Sequence, residues 1–548
     1  MSIFNRCEFE SRQFRLKRRC QGEISLIVLL GIITLVGVGL LFYLMLRLRP
    51  EAKRDSTDQQ SVTIYCAAGI AKPVQQVLER YNREFGTHLK ISRTGGSGQL
   101  AGQIKTEFET GVQNGAELYI TADQFLLDKA KKEGIVEEQF QLAVQRPVIA
   151  VRSDSGVKIS DFQSLAKSTD LRFGITSQRA AVGKLVRKIA EREDFLSALE
   201  MNKVTDFENV MTLAQALVTQ SIDAALVWDT TVAQVNQNAK TGDTLSICCP
   251  ADSQDSFKSN IAIGVVTTAR NPTMCLKLAR YLTSPENGQS SFEQFGFTFL
   301  AGDTWQEVPE IHLFCGSMFT PVIEESVREF AQREGINLYP KWEGCGKLVT
   351  RMQTSTGQSK FPDAYFACDE MFLEKVKEHF QKPTTVTKNQ IVIAVQKHKD
   401  LKISSPSDLL KPGLRVGICD PQQSALGLLT RLMLEQKPYQ GFYAKLSQKS
   451  AVTVDVGPTL ISQLLAGGLD AAIVYRSNIQ ADPKALSQIA VLEFDSNAKH
   501  SLATQPWAIS RSTPYPELMN RMFTWIQQEQ IKKRFEKFGF KLVQPEVN

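Results

Sequence analysis

The feature that most constrains this chain is that it repeats itself. VTIYCAAGIAKPVQQVLERYNREFG (62–86) and IHLFCGSMFTPVIEESVREFAQREG (311–335) share one pattern: a short apolar strand, a turn of small residues, then an amphipathic helix. GGSGQLAGQI (95–104) matches GCGKLVTRM (344–352), and ELYITADQFL (117–126) matches AYFACDEMFL (364–373). LRFGI (171–175) matches LRVGI (414–418), IDAALVWDTTVAQ (222–234) matches LDAAIVYRSNIQ (469–480), and FEQFGF (292–297) matches FEKFGF (535–540). These six matches keep one order, with offsets confined to 243–249 residues. Chance does not produce that, so the body is two tandem modules of about 240 residues, 62–300 and 311–548, joined by a linker at 301–310.

Within each copy, short β-branched runs alternate with helical patterns. That alternation predicts an α/β fold with a parallel-rich sheet and helices on its faces. Ligands in such folds sit beyond strand C-termini, where loops meet helix N-termini. The glycine- and hydroxyl-rich turns of this sequence fall there.

The order of an AAxS-type turn, SGxL, DxxIxAD, GDPxxxxxG, DAGIVY and FEKYGF resembles the molybdate-binding family of periplasmic solute-binding proteins, over nearly all of each copy. The resemblance implies two tandem type II periplasmic-binding modules, each with two α/β lobes closing over an oxyanion, and no enzyme or cofactor. The chain would cross between lobes near 145–152 and 258–266 in the first copy, and near 388–396 and 500–509 in the second. The implied partners are a small oxyanion and an ABC permease in the same membrane.

A tetrahedral oxyanion needs several hydrogen-bond donors and little fixed charge, which helix N-termini, turns and hydroxyls supply. By resemblance the first module would use Gly69, Ser97, Thr176, Ser177, Val210 and Trp228. Gly69 stands where the family has a hydroxyl residue, 175–183 lacks the Asp-Pro turn, and Trp228 replaces a tyrosine. The second module would use Ser317, Cys345, Ser424, Ala425, Gly457 and Tyr475. Here Cys345 replaces the family's serine, while the Asp420-Pro421 turn and Tyr475 are kept, so this copy reads as the better-equipped site. Taken alone, a Ser in a Gly-rich turn usually caps the next helix, and Trp228 and Tyr475 at strand ends would ordinarily be core aromatics.

Ile24 to Leu46 carries no charge and, as a helix at about 1.5 Å per residue, reaches roughly 35 Å, enough to span a hydrocarbon core of about 30 Å. No small-x-small cleavage site follows, so an uncleaved anchor fits better than a signal peptide. Residues 1–23 then form a basic cytoplasmic tail, 24–46 a single transmembrane helix, and 47–61 a linker to an extracytoplasmic, periplasmic body, because more basic residues lie on the amino-terminal side. Ten Lys/Arg against four Glu in residues 1–54 account for the whole formal charge of +6. The neutral body argues against nucleic-acid binding, which draws its affinity from phosphate neutralisation.

Four of the ten cysteines, Cys315, Cys345, Cys368 and Cys419, fall at crevice-facing ends of second-module elements. They fit a thiol cluster for a soft ion or a redox pair, or else small buried apolar residues. The five His show no metal-ligand spacing, and no catalytic motif is present. Two other functions therefore stay open: an anion sensor or scaffold signalling to a membrane partner, and a thiol oxidoreductase or metal-handling protein using Cys345 and Cys419.

Overall fold

The computed structural model describes residues 61–543 apart from 238, 241–242, 250–256, 355–360, 398–400, 451 and 496. The expected tail at 1–23, the anchor at 24–46 and all but Ser61 of the linker at 47–61 lie outside the described residues. No described helix is long and apolar enough to cross a membrane.

Each repeat begins as the sequence pattern predicts. In the helix Ala71–Phe85, Val74, Val77, Leu78 and Tyr81 line one buried face, and Gly86 ends it at φ +64°. The helix Thr320–Glu334 buries Ile323, Val327, Phe330 and Ala331 and ends at Gly335 with φ +67°. Apolar residues three and four apart form one stripe, and a left-handed C-terminal glycine closes the last turn without Cβ strain.

The first module has two sheets. A six-stranded sheet runs in the order Thr298–Phe299, Val136–Gln145, Ser259–Val266, Leu118–Thr121, Ile64–Ala67, Ile91–Gly95. A five-stranded sheet follows the order Asp206–Phe207, Phe173–Thr176, Ala224–Trp228, Pro147–Arg152, Leu245–Cys249. The first sheet with its helices is one lobe, the second sheet the other. The chain passes between them at Arg146 and again before Ser259, giving the two-crossing topology that the resemblance implies.

In the second module the same path is a single ten-stranded sheet. The reason is the strand Thr384–Gln396, which pairs with Leu502–Ile509 through its first half and with Ala471–Tyr475 through its second. Pro147 is the first-module residue matching Ile391, since Pro147 faces Trp228 as Ile391 faces Tyr475. Ile391 donates its N–H to the Ser501 carbonyl at 2.8 Å, a bond that proline cannot make.

The two modules meet through their first lobes. The Glu334 side chain is 1% exposed and lies between Arg280 of the first module and Arg521 of the second, at 2.9 and 2.7 Å. Arg280 also donates to the Glu334 carbonyl at 2.7 Å. Beside them Arg333 reaches back to Glu138 and Glu137 of the first module. The linker is tied to both sides: Asp303 accepts the Glu517 and Leu518 N–H groups at 2.8 and 2.9 Å, while Trp305 stacks edge-on against Tyr281.

Burial would lift the Glu334 carboxyl, but the charges and hydrogen bonds of Arg521 and Arg280 hold it below its ordinary value. Removing one member of such a buried group leaves uncompensated charge, at a cost of about 3–5 kcal/mol. Glu334→Gln is therefore expected to uncouple the modules, so that calorimetric unfolding resolves into two transitions with the lower one shifted down. A single unshifted transition would contradict this.

Burial outweighs the nearby Arg521 charge and the two N–H donors at Asp303 and raises its carboxyl to about 6. An unfolded aspartate titrates near 3.9, so between those values the folded chain holds a proton that the unfolded chain has released. The resulting stability is fully present below about pH 4 and lost as pH rises through about 6. Relative to Asp303→Asn, the native chain should gain about 2–3 kcal/mol between pH 7.5 and pH 4 in denaturant titrations. A difference independent of pH, or of opposite sign, would count against it.

Candidate functional site

In both modules the N-terminus of one helix opens onto the crevice between lobes. In the first module this is Ser97–Thr110, preceded by Gly96. Ser97 does not cap the helix; Gly96 holds that position, and the buried Ser97 hydroxyl accepts the Ala122 N–H at 3.1 Å. Tyr119 donates its hydroxyl to the Ser97 carbonyl at 2.6 Å. The expected plain capping role is thus replaced by a tie to the end of the neighbouring strand.

The amides next to Ser97 are not all open to a ligand in this arrangement. Gly98 donates its N–H across the crevice to the Arg179 carbonyl at 2.9 Å. A Cβ at Gly98 would lie 2.5 Å from that oxygen, so only glycine permits the approach. The second module repeats the arrangement: Gly346, in the helix Cys345–Thr354, donates to the Gln423 carbonyl at 3.0 Å, and a Cβ there would collide with the Gln422 carbonyl. Ion pairs also span each crevice, Lys184–Asp123 at 3.3 Å and Lys347–Asp455. Both modules are closed, lobe on lobe.

Around these helix ends the structure places the other sequence-predicted residues as follows. Gly69 is half-buried; a Cβ there would lie 3.2 Å from Val210, and Gln234 donates across the crevice to its carbonyl at 2.7 Å. Val210 begins the helix Val210–Val218, behind Asn209, which caps the Met211 and Thr212 amides. Val210 and Trp228 are buried in one apolar cluster that also contains Ala67 and Ile70 of the first lobe. Thr176 is fully buried and its hydroxyl has no hydrogen-bond partner. Ser177 is half-buried and donates its N–H to the Phe207 carbonyl at 2.8 Å. A 550 Å³ cavity at this crevice is lined by Gly96, Gln99, Ser177 and Arg179, and of the six predicted residues it touches Ser177 alone.

In the second module Cys345 takes the place of Ser97 atom for atom: its Sγ accepts the Cys368 N–H at 3.1 Å, as Ser97 accepts that of Ala122. Tyr475 is 3% exposed, and its hydroxyl has no hydrogen-bond partner. Burial raises its pKa well above the ordinary value, and Cys368, Asp369, Cys345 and Cys419 add to the rise. Ser424 is buried, donates its N–H to the Asp420 carbonyl at 3.0 Å, and sets its hydroxyl beside Cys419, whose thiol burial raises to about 12. Ala425 opens the helix Ala425–Leu434. Gly457 is packed against Asn478, leaving no room for a side chain. Ser317 is half-buried in the turn after Gly316, and its carbonyl accepts the Thr320 hydroxyl at 2.9 Å. Asp369 serves the helix end that follows, accepting the Met371 N–H at 3.0 Å; burial raises its carboxyl to about 6.

Sequence reasoning missed the crossing carbonyls of Arg179 and Gln423, and it missed Tyr119 and Tyr365. The tyrosines carried a signal, because they occupy the same repeat position in ELYIT and AYFAC. Among the described residues no group of three or more His, Cys, Asp or Glu side chains is placed to hold a metal ion.

The family model for bacterial extracellular solute-binding proteins matches residues 62–298 and, a second time, 311–541. The chain belongs to that family. A binding protein of Haemophilus influenzae is 26% identical over 243 residues, covering 44% of this chain and 92% of that one. Among solved structures, the periplasmic molybdate-binding protein of Azotobacter vinelandii is 19% identical with a TM-score of 0.35, covering 43% of this chain and 100% of its own. The ferric binding protein of Campylobacter jejuni is 16% identical with a TM-score of 0.38, covering 44% and 88%.

The crossing amides generate a test. Gly98→Ala should hold the first module open, so that hydrogen exchange in segments 97–104 and 177–183 quickens by roughly tenfold or more. The matching segments of the second module should stay as they are. Unchanged protection in the first module would mean that the lobes do not meet there.

Proposed function

We propose that this solute-binding protein captures a small oxyanion of the molybdate or tungstate class in the crevice of each module and passes it to an ABC-type permease. Residues 24–46 would anchor the chain in the same membrane with the modules on the extracytoplasmic side. Tethering of this kind raises the effective concentration at the permease. The chemistry is binding and release, with hinge closure as the working motion.

The observation that carries the ligand class is a pair of buried hydroxyls. Thr176 in the first module and Tyr475 in the second belong to the sets chosen from sequence, and each is buried without a hydrogen-bond partner. An unsatisfied buried polar group costs about 1–3 kcal/mol, a cost that a ligand oxygen accepting the hydroxyl proton would remove. The helix amides point the same way. Gly98 and Gly346 already hold an oxygen, supplied by a carbonyl of the opposite lobe. When the lobes part, those donors are released, and an oxyanion can take the place of the carbonyl at a site preferring negative charge. Ser97 and Ser317 add hydroxyls, Ser177, Val210, Ala425 and Gly457 lie at turns or helix starts, and Gly69, Trp228, Cys345 and Ser424 complete the two linings.

Calorimetry of the purified full-length chain against molybdate, tungstate, sulfate and phosphate tests this. At least one binding event is expected, with molybdate or tungstate preferred. Ser317→Ala combined with Tyr475→Phe should weaken the second site by about tenfold or more, the worth of a hydrogen bond to a charged group. If none of the four anions gives heat or a melting shift, the oxyanion reading is wrong, while the family and fold stand.

A further inference from the structure

Two thiols of the second module lie against each other where the first module has Ser97 and Ala122. Cys345 Sγ and Cys368 Sγ are 2.8 Å apart, and the Cys368 N–H also points at the Cys345 sulfur. The neighbouring turn is shaped around them, since a Cβ on Gly316 would collide with Cys368 Sγ. Two buried tyrosines flank the pair: Tyr365, whose hydroxyl faces the Cys345 sulfur, and Tyr475, whose hydroxyl has no hydrogen-bond partner.

The two sulfurs are not equivalent. Burial opposes ionisation of Cys345, but hydrogen bonds from the Cys368 thiol, the Tyr365 hydroxyl and the Cys368 N–H outweigh it and bring its pKa below the ordinary thiol value. Cys345 is also the first residue of its helix, where the dipole favours an anion. The Cys345 hydrogen bond and burial push the Cys368 thiol well above the ordinary value. Cys345 is therefore the more readily ionised sulfur of the pair, beside a second that can resolve it. A disulfide needs its sulfurs at about 2.05 Å, a short movement from the contact observed.

We propose that Cys345 and Cys368 form a thiol–disulfide exchange couple in the floor of the second crevice, reached by small disulfides when the lobes separate. In the first step the Cys345 thiolate attacks one sulfur of RSSR, breaking that bond and releasing RS⁻, which takes up the proton lost from Cys345. In the second, Cys368 attacks the Cys345 sulfur of the mixed disulfide, expels the other RS⁻ and gives up its proton to it. Two protein thiols are oxidised to one disulfide, and one external disulfide is reduced to two RSH. Both cysteines are in the first lobe, so the bond does not lock the crevice shut; it removes the thiol from its lining. The inference rests on the solute-binding reading only for the lobe motion that admits the oxidant.

The test is peptide mapping of the full-length chain after glutathione disulfide, with alkylation under unfolding conditions and tryptic digestion. The expected product links WEGCGK (342–347) to FPDAYFACDEMFLEK (361–375), vanishes with dithiothreitol, and is absent from Cys345→Ser and Cys368→Ala. Those variants install the first module's own residues, so the fold should accept them. Recovery of both cysteines fully alkylated, or linkage of either to Cys315 or Cys419, would overturn the proposal. Gly346→Ala, which props the crevice open, should speed formation of the link by about threefold or more; an unchanged rate would overturn the gating. No anion is added, so this result is independent of the calorimetry.

Discussion

The Glu334 carboxylate, buried between Arg280 and Arg521, sets the frame for everything else in the chain. It joins the first lobes of the two modules through largely buried charges, and the Arg333–Glu138 pair and the Asp303 cap reinforce it. The modules are therefore not beads on a flexible string. With the first lobes joined there, any hinge motion in either module would move its second lobe relative to the joined pair. Each crevice has one of these joined first lobes as a wall.

The duplicated architecture has diverged chemically at that wall. In the first module a serine oxygen receives the amide from the adjoining strand; in the second a sulfur does. Geometry is conserved between copies while the acceptor atom changes from oxygen to sulfur, so that this position carries a pair of thiols in the second module and a serine beside an alanine in the first. The crossing amide–carbonyl contacts are shared by both and depend on glycines whose missing side chains let two backbones meet.

The repeat made most of this fold readable from sequence. With Ser97 matching Cys345 and Trp228 matching Tyr475, the strand–turn–helix order followed from short apolar runs and turn glycines, while the lobe crossings came from the family resemblance. The partnering of polar groups was not readable in that way. The Gly98 amide looks like an open ligand donor until the opposite lobe is in place, because a carbonyl carries no side-chain signature. Glu334 occupies the repeat position of Phe85 and sits at the end of an amphipathic helix, where a glutamate ordinarily meets solvent. Its burial arises from contact between copies, and comparing one copy with the other cannot reveal that.

The proline at 147 makes the two hinges mechanically unequal. The second module bends a continuous strand that keeps the Ile391 to Ser501 bond, whereas the first bends a strand already severed beside Arg146. Two springs of different stiffness thus hang from one mount. The same pair of lobes is joined by an unbroken ladder of backbone hydrogen bonds in one copy and by an interrupted one in the other.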